Sequence, residues 1–220
     1  MTPDVPPTFS LLSILATVFL FPAEANARPH LPPKAMAKVE AGGVVTYSLR
    51  PPHGGGVRLG KAIGIVEGSP EAVVHTLLDA NNYPDFLHRV KSSYLVRRHP
   101  KGIYAVIKTA LPWPVADAWA LVKISHHHLG NGVFRMRWVM QRGTLKQYDA
   151  TALIEPWGNQ PNKCTLTYTT LAEPKTSVPN SILSRGTRHV AEMVLHRVRI
   201  RVKRGVRQRK FPAGLEKRYR

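Results

Sequence analysis

Catalysis needs particular side chains at particular spacings, and this chain offers few of them. It contains no Gly-x-Ser-x-Gly turn, no His-Glu-x-x-His pair and no phosphate-cradling loop. His126, His127 and His128 are consecutive, but successive strand residues face opposite ways, so at most two could share a site. No carboxylate lies nearby to complete one, so the triplet reads as solvated turn residues, and neither a metal nor any other cofactor is expected. The only cysteine, Cys164, excludes an internal disulfide framework and a multi-cysteine zinc site. What stands out is a stripe. Phe134, Met136, Trp138 and Met140 alternate with Arg135, Arg137 and Gln141, which places four large apolar groups on one strand face. Methionines make such a face adaptable. Tyr148, Tyr168 and Thr170 on neighbouring strand-like runs could add polar handles. Gly186, His189 and Met193 share one face of a helical stretch, where a glycine would let a ligand approach the backbone.

The elements that must position these residues follow from local signals. Arg58–Val66 reads as a strand with glycine at every fourth place, Gly60 and Gly64. Ser69, Pro70 and Glu71 form a helix start, followed by Val73, Val74, Leu77 and Leu78 at helical spacing. Six strand-like runs follow at residues 91–98, 103–111, 119–126, 133–141, 146–155 and 164–172, separated by turn residues such as Gly130-Asn-Gly132. Their close spacing leaves no room for crossover helices, so the sheet must be antiparallel. A long helical pattern then runs from about Ser181 to Val206, with Ile182, Leu183, Val190, Met193, Val194 and Val198 on an apolar stripe. The expected class is α+β, with that helix covering a curved sheet of six to seven strands. Residues 28–56, rich in Pro and Gly, read as linker or loop, except that 43–49 could form a short edge strand.

This order resembles the START-like (helix-grip, SRPBCC) superfamily, of the polyketide cyclase and coenzyme Q-binding type. The resemblance covers about residues 57–202 and rests on three segments. Ile65-Val-Glu-Gly-Ser-Pro-Glu-Ala-Val-Val74 is similar to the family's first strand and helix. Leu78-Asp-Ala-Asn-Asn-Tyr-Pro-Asp-Phe-Leu87 resembles its Asp, aromatic-Pro, aromatic segment. Leu111-Pro-Trp-Pro-Val-Ala-Asp117 resembles its Pro-Trp-Pro turn, but Ala118-Trp119 stands where the family usually has Arg-Asp. The resemblance implies a cavity between sheet and helix that holds a lipid or other hydrophobic molecule. It implies a lining of Trp113, Phe134, Met136, Trp138, Met140, Tyr148, Tyr168, Gly186, His189 and Met193. A cyclase, aromatase or hydrolase using the same cavity is the alternative; it would need a titratable cluster around His189, Tyr148 and Tyr168.

Charge and the N-terminus bear on partners. The chain has 220 residues, with 32 Lys and Arg against 13 Asp and Glu, a formal charge of +19. That size suits one domain with appendages, and the charge calls for an anionic partner. Residues 9–21 form an apolar core too short to span a bilayer, followed by Ala25-Asn-Ala27. Residues 1–27 therefore read as a signal peptide cleaved after Ala27, which makes the protein secreted or periplasmic, although the n-region lacks Lys and Arg. The expected organisation is this leader, the 28–56 segment, a START-like domain over 57–206 and a basic tail over 207–220. Arg201, Lys203, Arg204, Arg207, Arg209 and Lys210 are the residues expected to meet an anionic membrane surface. Nucleic acid is the competing anion; export would remove the chain from it, so no such partner is expected. Nothing in the sequence sets the oligomeric state.

Overall fold

Ser69 does what its place before Pro70 requires: its hydroxyl accepts the Ala72 N–H and caps a helix that runs Pro70–Leu78. Local chemistry of this kind sets most boundaries in the computed structural model, which describes residues 31–52, 54–111, 116–176 and 178–205. In chain order the elements are α1 (Pro33–Glu40), β1 (Val45–Leu49), β2 (Leu59–Glu67), α2 (Pro70–Leu78), a 3-10 turn at Ala80–Asn82 and α3 (Tyr83–Phe86). They continue with β3 (Val90–His99), β4 (Gly102–Thr109), β5 (Ala118–Gly130), β6 (Val133–Gly143), β7 (Leu145–Trp157), β8 (Gln160–Pro174) and α4 (Asn180–Arg204).

The strands form a single antiparallel sheet in the order β1-β2-β8-β7-β6-β5-β4-β3. It has eight strands rather than six or seven, because the short edge strand forms and pairs Val45–Leu49 with Leu59–Ile63. The far edge, β3, is irregular, with register shifts between Val90 and Ser92 and between Leu95 and Arg97. One expectation fails before it. Pro33–Glu40 is helix, not loop, because Pro33 sits in the first turn, where its missing N–H costs nothing. Val39 from α1 is fully buried against Ile65 and Trp157 on the outer face of the sheet.

On the inner face, α4 lies along β2. Ser184, Thr187, Ala191, Leu195 and Val198 are its buried residues, at three- and four-residue spacing. Glycines permit this approach. A Cβ at Gly60 would overlap the Thr187 carbonyl, one at Gly64 would meet Arg199 and Leu195, and one at Gly68 would meet Val202. Gly56 extends the track, since a Cβ there would collide with Asn180. Four strand residues advance about 13 Å, and two helical turns about 11 Å, so the glycines keep pace with successive pairs of turns.

Polar contacts fix the helix in place. The Ser184 hydroxyl accepts the Arg58 N–H at 2.9 Å, and the Thr187 hydroxyl donates to the Arg58 carbonyl at 2.7 Å. Arg199 donates to three backbone carbonyls, those of Ile65 (2.6 Å), Gly42 (2.9 Å) and Gly43 (3.2 Å). It thereby ties α4 both to β2 and to the turn after α1.

Gly60→Ala should therefore cost about 1–3 kcal/mol, the usual range for overpacking. Gly186→Ala, on the same helix but with nothing within 4 Å of the new methyl group, should instead gain about 0.5–1 kcal/mol from helix propensity. Urea unfolding of the two variants checks both signs; equal effects would contradict the close approach of α4 to β2.

Candidate ligand-binding site

Burial along the inner face is graded. Toward one end, Val66, Ile124, Met136, Ile154, Leu166, Leu195 and Val198 are essentially inaccessible, and α2 packs over them. Toward the other end, the inward apolar residues are only partly covered: Leu87 after α3, Val90 on β3, Ile107 on β4, Met140 on β6, and Val194 on α4. Val190, one turn earlier on α4, is 44% exposed. The strand register places these together. Val90 pairs with Thr109, Ile107 with Ala120 and Met140 with Val122, while Thr187 of α4 lies against Gly60. Under the first half of α4 these residues form a partly exposed apolar collar at the edge of the core.

A row of hydroxyls crosses the floor of this collar. Tyr83, buried, donates to the Leu77 carbonyl and accepts the Trp138 indole N–H at 3.5 Å. Trp138 meets the Tyr168 ring edge-on, with centroids 5.8 Å apart. Tyr168 lies beside Tyr148, and the Thr170 hydroxyl donates to the Asp149 carbonyl at 3.4 Å. Burial pushes the Tyr148 phenol up to about 12, against the pull of its hydrogen bond with Tyr168, and holds Tyr83 and Tyr168 well above the usual phenol range. All three stay neutral at physiological pH and act as hydrogen-bonding groups. Among the described residues, no Asp, Glu, Lys, Arg or His is fully buried; the polar ones that are carry hydroxyls or an amide.

One ion pair lies beside this core. Arg201 of α4 meets Asp79, just past α2, at 3.2 Å, with side chains 12% and 16% exposed. Asn82 donates to both Asp79 oxygens, and the guanidinium lies 5.6 Å from the Phe86 ring centroid. This corrects one expectation, because Arg201 faces α2 and α3 rather than a membrane.

The other expected residues divide. Met136, Trp138 and Tyr168 are buried, while Phe134, Met140 and Tyr148 are partly buried, so the inward stripe exists. Its first half packs into the closed end, where it is core; only Met140 reaches the collar. Gly186 and His189 are exposed and Met193 is partly buried. At about 100° per residue, these three lie on the side of α4 opposite Ser184 and Leu195. His189 therefore does not join Tyr148 and Tyr168. Lys203 and Arg204 are exposed. Trp113, Arg207, Arg209 and Lys210 lie outside the described residues, as do the leader and the basic tail. The sequence reading missed Tyr83, Leu87 and Val90 as site residues, although all three fall in or just after the Asn-Tyr-Pro-Asp-Phe segment singled out on other grounds.

Asp79→Asn should destabilise the protein by about 2–3 kcal/mol, because it leaves a mostly buried guanidinium without its counter-charge. Adding Arg201→Met should recover part of that loss in a double-mutant cycle; additive losses would mean that the two groups do not interact. Cys164 is fully buried and its thiol is pushed up to about 12 by burial. It should resist thiol reagents at about pH 8, where an ordinary cysteine ionises, and react on unfolding. Rapid labelling of the folded protein would contradict its placement.

No family model matches the sequence, and no curated protein matches it. Solved structures do match in shape. A STAR-related lipid transfer protein from Xanthomonas axonopodis superposes with a TM-score of 0.63 at 18% identity, covering 73% of this chain and 93% of that one. Human StAR-related lipid transfer protein 5 gives 0.59 at 12% identity, over 73% and 82% of the two chains. A START superfamily protein from Mycobacterium smegmatis gives 0.56 at 15% identity, over 66% and 97%. None of these distinguishes a polyketide cyclase type. An eight-stranded antiparallel sheet curved around a long C-terminal helix, matched across these structures, is the START-like helix-grip fold, and that is the fold of this chain.

Proposed function

We propose that this protein binds a lipid or another largely apolar small molecule under the first half of α4, and carries or holds it at an anionic membrane surface outside the cytoplasm. The observation that carries the reading is the apolar collar. Leu87, Val90, Ile107, Met140 and Val194 stay partly open to water at one end of the core, with exposed Val190 beside Val194 on α4. Leaving that much apolar surface uncovered is costly unless something covers it in use. The neutral tyrosine floor suits a ligand whose inserted part is uncharged, with one hydroxyl or carbonyl for Tyr148 or Tyr168 to meet. A buried charge would find no partner there. The lipid-transfer designation of the similar structures supports the same class of ligand. The leader motif supports export, and the charge of +19 supports attraction to anionic lipid.

Native mass spectrometry of the protein purified from its own source tests both halves. The expected result is a chain beginning at Arg28 with a co-purifying apolar species that denaturation releases. A ligand-free protein that also fails to bind a fluorescent fatty alcohol would overturn the binding reading, and an uncleaved cytosolic chain would overturn export. Val190→Asp, a change at an exposed position, should lower affinity for that probe about tenfold by placing a charge in the apolar collar, with little change in melting temperature. Unchanged affinity would mean that the ligand sits elsewhere.

A further inference from the structure

The two segments that meet at the start of α4 share an unusual composition. Residues 41–66 and residues 174–191 contain no Asp or Glu at all. The carboxylate just before the second segment, Glu173, is held by Lys146 at 2.6 Å. Within these two acid-free segments, Arg50, Arg58, Arg185 and Arg188 are all exposed. Leu49, 38% exposed, and Ile182, 57% exposed, accompany them. Their proximity is fixed by contacts. Leu49 pairs with Leu59, the Arg58 backbone is bonded to Ser184 and Thr187, and Gly56 abuts Asn180. Arg50 and Arg58 wall a surface cavity of about 370 Å³, with Pro51 and the Gly54–Gly56 loop. Next to it, α4 begins after Pro179 with no side chain capping its first N–H groups.

We infer that this end of the molecule is the membrane-docking face, with Arg50 and Arg58 seating a lipid phosphate between them while Leu49 and Ile182 enter the acyl boundary. The inference rests on the membrane reading above and moves its site from the C-terminal basic residues to the opposite end of α4. The chemistry is consistent at each point. Guanidinium groups pair with phosphate oxygens in two-pronged fashion. The absence of carboxylates from both segments leaves their local field weakly opposed. Apolar side chains standing among them suit a lipid interface rather than the fully polar surface of a nucleic acid. The same end carries the apolar collar, so a ligand leaving a membrane docked here would not have to cross water.

The test measures how the full chain partitions onto phosphatidylcholine vesicles, and onto vesicles of equal parts phosphatidylcholine and phosphatidylglycerol. The ratio of the two isolates the electrostatic part from any contribution of the apolar leader. Arg50→Gln with Arg58→Gln should lower that ratio roughly twenty-fivefold, at about fivefold for each arginine near the leaflet, with an unchanged melting temperature. Leu49→Ser with Ile182→Ser should weaken binding to both vesicles several-fold. The comparison variant, Lys203→Gln with Arg204→Gln at the far end of α4, should have a smaller effect. If that variant abolishes the preference and the arginine pair does not, the docking face is the C-terminal end and the inference falls while membrane attraction stands. If the unaltered protein shows no preference for the anionic vesicles, both fall. Should the Arg50 and Arg58 changes cost binding to a DNA duplex, or alter the sedimentation coefficient, while leaving the vesicle ratio intact, the face serves a nucleic acid or a second copy, and the proposal is overturned.

Discussion

The glycines of β2 determine how close α4 can come to the sheet, and most of the structure follows from that distance. With side chains at Gly60, Gly64 and Gly68, the helix would have to move away from β2, and its hydroxyls would lose their short bonds to the Arg58 backbone. Arg199 would lose its reach to the carbonyls of Ile65, Gly42 and Gly43. The close approach also makes β2 a strand buried on both faces, with α4 inside and α1 outside. Its near-continuous burial from Gly60 to Val66 shows this, in a sheet whose middle strands alternate.

A straight helix against a curved sheet cannot be close everywhere. Here α4 is tight along β2, with fewer contacts to β8, while the sheet curls away through β7, β6, β5 and β4. The space so created is filled at one end by α2 with Val73, Val74 and Leu77. At the other end, among the described residues, no element is inserted in the same way, and the collar residues stay partly exposed. Core and proposed binding site are therefore the same sheet face under two degrees of filling. This is why the stripe from Phe134 to Met140 is structural at its start and opens toward a site at its end.

Much of this could be read from local pattern, and the exceptions share a cause. Ser69-Pro70, the alternation of Val133–Gln141 and the turn residues between strands act within a few residues of themselves, so the antiparallel strands and the final helix were legible. The helix at Pro33–Glu40 was not, because the residues that make it worth forming, Ile65 and Trp157, are distant in the chain. Arg201 looked like one of many surface cations, since nothing near it in sequence announces Asp79. The same holds for the face of α4. Spacing alone allows Gly186, His189 and Met193 as readily as Ser184, Ala191 and Leu195, and only the glycines of β2 decide between them. The similar structures described above do not distinguish the polyketide cyclase type that the order of elements resembled.

The open sheet has two edges, and β3 is the longer one. Its two register shifts break the spacing of free backbone groups, and Lys91, Arg97, Arg98 and His99 crowd it with exposed polar side chains. Arg97 is further held over the Tyr104 ring at 4.2 Å. An approaching strand would find neither a continuous ladder nor a neutral flank. A protein that leaves apolar surface uncovered at its collar risks clumping in the crowded space it works in. The irregular border keeps that stickiness from being joined by strand-to-strand zippering, the more irreversible form of self-association.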